Sequence, residues 1–119
     1  MTTAPIAVCL GFRNWSVIHL DRCLASVQTQ DTYRFAEVAL VDLGSDPDVL
    51  REVVLVARKH GVSVIVSPKS EWSRSIALNI AARCSSAPWL LFTDADMIFP
   101  REYLSIVQKF LPITVAGTP

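Results

Sequence analysis

The 119-residue sequence predicts a three-layer α/β domain: a mostly parallel sheet of strand order 3-2-1-4 with helices on both faces. Three observations carry this expectation. Short apolar runs alternate with segments of helical period along the whole chain, and such alternation means parallel strands joined by helical crossovers. Each of the first three helical segments opens on a capping residue, Ser16, Asp46 and Ser73. Right-handed crossovers leave few topologies, and a doubly wound sheet places its first strand beside its fourth.

The elements follow in order. Ile6 to Leu10 is a short apolar strand, and Gly11 to Trp15 a loop. Ser16 caps a helix from Val17 to Val27 whose Leu20, Cys23, Leu24 and Val27 share a face. Asp31 to Arg34 is polar and turn-like. Val38 to Val41 is the second strand, ending at Asp42-Leu43-Gly44-Ser45. Asp46 caps the second helix with Pro47 at its first position. That helix buries Leu50, Val53, Val54 and Ala57 and ends through Lys59, His60 and Gly61. Val62 to Val66 is the third strand. Ser73 caps a third helix that buries Ile76, Ala77, Ile80, Ala81 and Cys84. Pro88 leads into Trp89 to Thr93, an apolar strand. Pro100 starts a fourth helix with Leu104, Val107 and Leu111 inward, and Ile113 to Ala116 reads as one more strand.

Composition excludes several classes. Eleven basic residues balance eleven acidic ones, so no excess charge is available for a nucleic-acid backbone. No apolar stretch approaches the roughly 20 residues needed to cross a bilayer, and no signal peptide opens the chain. Cys9, Cys23 and Cys84 are odd in number and far apart. They read as three buried thiols rather than a disulfide framework or zinc site, which points to the cytoplasm. No G-x-G-x-x-G follows the first strand and no Walker A motif occurs, against a dinucleotide dehydrogenase or a P-loop NTPase. His19 and His60 fall on a helix surface and a helix end and carry no chemistry.

The chemistry gathers where the sheet winding reverses, the crevice in which such sheets bind ligands. The fourth strand stops at Asp94-Ala95-Asp96. Acids at i and i+2 on extended backbone face the same side and repel unless a cation or a donor-rich ligand lies between them. Mg²⁺ or Mn²⁺ carrying a phosphorylated substrate is the favoured ligand; a solvated acidic loop is the alternative. Phe12, in the loop with Arg13 after the first strand, either stacks on a flat base or belongs to the core. Asp42, at the end of the second strand, is placed to accept from ribose or base donors. Arg74 opens the third helix, where a cation opposes the macrodipole unless an anion such as a diphosphate is near; a solvated Arg is the alternative. Asn79 has a structural role, and Trp72 lies in a loop that could border the site.

Taken together, Cys23-Leu24-Ala25-Ser26-Val27-Gln28-Thr29-Gln30, Val41-Asp42-Leu43-Gly44-Ser45, Arg74-Ser75-Ile76-Ala77-Leu78-Asn79 and Leu91-Phe92-Thr93-Asp94-Ala95-Asp96 resemble family 2 glycosyltransferases of the Rossmann-like GT-A fold, in the version similar to capsule- and polysaccharide-type members. The resemblance spans about Ile6 to Leu111. It implies transfer of a sugar from a nucleotide-sugar donor, usually a UDP-sugar, to a glycan or other hydroxyl acceptor, with Mn²⁺ or Mg²⁺. It assigns the metal to Asp96, ribose or metal to Asp94, the nucleoside to Asp42 with Phe12 and Arg13 alongside, and the phosphates to Arg74.

Two departures accompany it. Leu43 stands where the family commonly has a second acid after the second strand, which removes an acceptor for the uracil N–H. Later family segments, which build the acceptor half and carry the catalytic base, find no counterpart, so residues 1–119 are expected to be a single donor-binding domain that stops short of the acceptor half, open to homo-oligomerisation through an uncovered sheet edge. The alternative function is a non-catalytic α/β interaction module derived from the same fold. An aspartate-nucleophile phosphohydrolase is a third reading, opposed by the late position of the acids.

Overall fold

The structure, a computed structural model, describes residues 2–68 and 71–111. Its elements are β1 (Thr2–Phe12), α1 (Val17–Gln28), β2 (Tyr33–Leu43), α2 (Pro47–Lys59), β3 (Val64–Ser67), α3 (Arg74–Cys84), β4 (Trp89–Phe92) and α4 (Tyr103–Gln108). The four strands form one parallel sheet in the order β3-β2-β1-β4, the order expected from the alternation. The strand proposed at Ile113 to Ala116 lies outside the described residues.

Alternation along β1 and β2 builds two cores. Val8, Leu10 and Phe12 of β1 and Leu40 of β2 point to one face and meet Leu20, Leu24 and Val27 of α1, Val53 and Ala57 of α2 and Leu104 of α4. Cys9, Ala39, Val41 and Leu43 point to the other face and meet Ala77, Leu78 and Ala81 of α3. Among the described residues, three helices therefore cover one side of the sheet and α3 covers the other.

Several boundaries differ from the sequence reading. β2 begins at Tyr33, inside the segment expected to turn, because Thr2 and Thr3 pair with Tyr33 and Arg34. The ladder shifts register between Ala4 and Ala7, around Pro5, which has no N–H to offer. β3 starts two residues later than expected. The N–H groups of Gly61 and Val62 instead close α2 on the carbonyls of Arg58 and Ala57 at 3.0 and 2.8 Å. This is a Schellman end with Gly61 at φ +72, a conformation glycine adopts without penalty. α4 begins at Tyr103 rather than Pro100.

α3 is rotated from its expected stripe: Ala77, Leu78 and Ala81 are buried, whereas Ile76 is 39% exposed and Cys84 lies at the surface. The small side chains face the sheet because backbone approaches there too closely for larger ones. A Cβ on Gly11 would sit 2.6 Å from the Ala77 Cβ. Two thiols, not three, are thus buried. Among the described residues no helix is long and apolar enough to cross a membrane.

Candidate functional site

β1 and β4 run side by side, with Ile6 to Cys9 opposite Trp89 to Phe92. One further bond, Thr93 N–H to the Cys9 carbonyl at 3.0 Å, carries the pairing just past the strand. The chain then turns tightly, the Met97 N–H reaching the Asp94 carbonyl at 3.1 Å. Asp94 and Asp96 therefore sit on a turn and not on extended backbone as expected. Both still border one cleft of about 390 Å³, lined also by Gly11, Phe12, Arg13, Trp15, Trp72 and Ala95. Ala95, between the acids, is buried and anchors the turn.

Helix α1 holds this turn from behind. The Cys23 thiol donates to the Asp94 carbonyl at 3.8 Å. Burial first, and the Asp96 charge second, push that thiol up to about 11, so it stays protonated and able to donate. Ser26 accepts the Phe99 N–H at 3.0 Å while its hydroxyl donates to the Cys23 carbonyl at 2.7 Å. The Gln30 amide donates to the carbonyls of Pro100 and Ser26 at 2.7 and 3.1 Å, and its oxygen accepts the Leu104 N–H at 2.9 Å. One polar seam along α1 thus holds the 94–104 segment at four backbone groups, the Asp94 and Pro100 carbonyls and the N–H groups of Phe99 and Leu104, and the last two are buried and need these partners.

The opposite wall is the loop after β1, clasped to the loop after β2. The Asn14 N–H donates to the Ser45 hydroxyl at 3.0 Å, and the Asn14 side-chain carbonyl accepts the Asp46 N–H at 2.8 Å. The Arg13 Nε donates to the Gly44 carbonyl at 3.3 Å. Asn14 takes φ +42, a conformation Asn tolerates better than most residues. The Asp46 side chain makes no cap bond, contrary to expectation; its backbone is used instead.

The residues proposed from sequence divide into two groups. Arg13, Asp94 and Asp96 line the cleft. Arg74 reaches it through an ion pair, its Nε 2.7 Å from an Asp94 carboxylate oxygen; the anion that offsets this cation at the start of α3 is Asp94. Phe12 borders the cleft without opening its ring to it, and Asp42 is held back altogether. Phe12 is 2% exposed and belongs to the larger core, the second of its two readings, so its ring offers no open face for stacking. Asp42 is fully buried and does not border the cleft. One of its carboxylate oxygens accepts the Ser45 N–H at 2.9 Å and shapes the loop after β2; the other has no hydrogen-bond partner among the described residues.

Trp15 and Trp72 are the cleft's open aromatic surfaces. Sequence reasoning assigns Trp15 only to a loop; a tryptophan directly before the helix cap Ser16 is the signal available there. The Trp15 ring lies 5.1 Å from that of His19, whose Nδ1 is 2.6 Å from the Ser16 hydroxyl. His60, as expected, is a helix end, bound to Asp21 at 2.6 Å.

The Glycosyl transferase family 2 profile matches residues 19–113. The chain belongs to glycosyl transferase family 2. Solved structures with the same fold include S. aureus TarS residues 1–349, 22% identical with a TM-score of 0.75 over 95% of this chain and 33% of that one. The same protein has been solved in complex with UDP-GlcNAc. The mannosyltransferase PcManGT from Pyrobaculum calidifontis, in complex with GDP-Man and Mn²⁺, is 26% identical with a TM-score of 0.74 over 90% of this chain and 32% of that one. This family 2 chain thus spans about a third of the length of these structures. No curated protein matches it.

Proposed function

We propose that this family 2 domain binds the nucleoside-diphosphate part of a sugar donor in the cleft at the tips of β1 and β4, with Mn²⁺ or Mg²⁺ at Asp96. The observation that carries this reading is the placing of two carboxylates and an arginine on one cleft rim, where parallel α/β sheets receive ligands. The donor set suits such a cation. Among the described residues no group of three or more His, Cys, Asp or Glu side chains is assembled, and Mg²⁺-like ions characteristically take one or two carboxylates together with substrate phosphates. A cation there would offset charge on the departing nucleoside diphosphate.

The chain's own residues supply the rest. Arg74 stands ready to hydrogen-bond phosphate oxygens, and Trp15 and Trp72 present flat apolar faces to a base or sugar. Asp42, if the loop after β2 yields, offers its unpartnered oxygen to a nucleoside donor. TarS is solved with UDP-GlcNAc and PcManGT with GDP-Man; the diphosphate is their common feature, which supports recognition centred on it. UDP-sugar is the first donor to test and GDP-sugar the second, since Leu43 removes one acceptor for uracil. No described residue is assigned as the base that deprotonates an acceptor, so sugar transfer is proposed for the domain together with acceptor-binding structure.

Thermal unfolding tests the reading. A nucleotide sugar with Mn²⁺ at 100 times its Kd should stabilise the domain by about 2.7 kcal/mol, and Asp96→Ala should abolish most of that gain. If no nucleotide sugar raises the melting temperature in the presence of Mn²⁺, the domain is a non-catalytic interaction module instead.

A further inference from the structure

The two acids of the turn are inequivalent. Asp94 is engaged by Arg74 at 2.7 Å, with the two side chains 51% and 57% exposed, whereas Asp96 has no ion-pair or hydrogen-bond partner among the described residues. We infer that Arg74 is a positioning residue that withholds Asp94 from a cation until a diphosphate arrives, so that nucleotide and cation binding are coupled through one guanidinium.

The chemistry runs as an exchange of partners. Arginine stays charged at any working pH. Beside Asp94 it cancels half the negative charge of the acid pair and weakens the pull of the turn on a divalent cation. The pair is open to solvent, and pairs of that kind are weak enough to be exchanged. A diphosphate presents more charge than one carboxylate and a geometry that the planar guanidinium fork matches with two parallel bonds. As Arg74 passes to phosphate, the Asp94 carboxylate is released beside Asp96. By linkage, a cation that recruits Asp94 frees Arg74 for phosphate to the same extent. The turn itself need not move, because the α1 seam fixes its backbone; only the Arg74 side chain changes partner.

Withholding Asp94 from Mn²⁺ requires no nucleotide and stands apart from the donor-binding reading; the coupling rests on it. The test is the loss of the free Mn²⁺ electron-spin-resonance signal, for the wild-type chain and Arg74→Gln, with Mn²⁺ alone and again with UDP or GDP. With Mn²⁺ alone, Arg74→Gln should bind about fivefold more tightly than wild type, and the gain should fall below about twofold in an Asp94→Asn background, as a double-mutant cycle requires. With the nucleotide, the rise in Mn²⁺ affinity should be smaller in Arg74→Gln than in wild type. Unchanged or weaker Mn²⁺ binding by Arg74→Gln, or no Mn²⁺ binding by either protein, overturns the inference. A nucleotide-dependent melting shift in wild type beside an unchanged Mn²⁺ affinity in Arg74→Gln would leave donor binding standing and remove the partner exchange alone.

Discussion

Single residues set the shape of the cleft by what they leave out. Gly11 has no side chain, and a Cβ there would lie 2.6 Å from Ala77 and 2.9 Å from the Trp72 ring. Gly11→Ala should therefore push α3 or Trp72 away, at about 1–3 kcal/mol. A lowered melting temperature with an altered tryptophan emission spectrum would report it; an unchanged spectrum would mean the indole does not rest there. At this scale the sequence was partly legible. The gathering of the acids and Arg74 at one place could be read because like charges beside each other, and a cation at a helix start, are each awkward without a partner. The burial of Phe12 and Asp42 could not, since either face of a strand end is open to a side chain until its neighbours are known.

Helix α1 shows what local pattern can and cannot reveal at the scale of elements. Its apolar stripe was legible from period alone, and Leu20, Cys23, Leu24 and Val27 are all buried. Its second use, as a polar seam, was not. Gln30 lies just past the helix and reads as a polar surface residue, yet it is buried and its partners Pro100 and Leu104 stand 70 and 74 residues away. Replacing it by Leu strands the buried Leu104 N–H, at roughly 1–3 kcal/mol, and takes one of two bonds from the Pro100 carbonyl, which keeps the Tyr103 N–H at 3.1 Å. Gln30→Leu should thus unfold at markedly lower denaturant concentration, whereas Gln28→Leu, on an exposed side chain whose one bond is to the His60 carbonyl, should change little. Equal effects would deny the seam its role. The rotation of α3 was hidden for the same reason: Ile76 and Ala77 are both apolar, and only the closeness of Gly11 selects the smaller.

For the whole molecule, the alternation of strand and helix was enough to give the sheet order, because crossover handedness removes most competing topologies. At the surface, carboxyl groups join neighbouring elements. Hydrogen bonds from His60 and then Lys59, on α2, hold the Asp21 carboxyl of α1 below its usual range. Hydrogen bonds from the Ser86 hydroxyl and N–H do the same for Glu37 of β2. A carboxyl depressed by folding stabilises the fold above its unfolded value, here the ordinary 3.8 and 4.5, and that contribution disappears as pH falls through the lower folded value. Asp21→Asn should therefore lower the melting temperature near neutrality, and its difference from wild type should shrink below about pH 4. A difference that stays constant into acid would contradict the linkage. The pairing of β1 with β4 joins distant parts of the chain. Of the described strands β1 comes first in sequence, yet it lies inside the sheet, and its neighbour on one flank is the last of them, Trp89–Phe92. A polypeptide cut ahead of that strand possesses neither acid nor their half of the rim, so the cleft is assembled only where both stretches are present together.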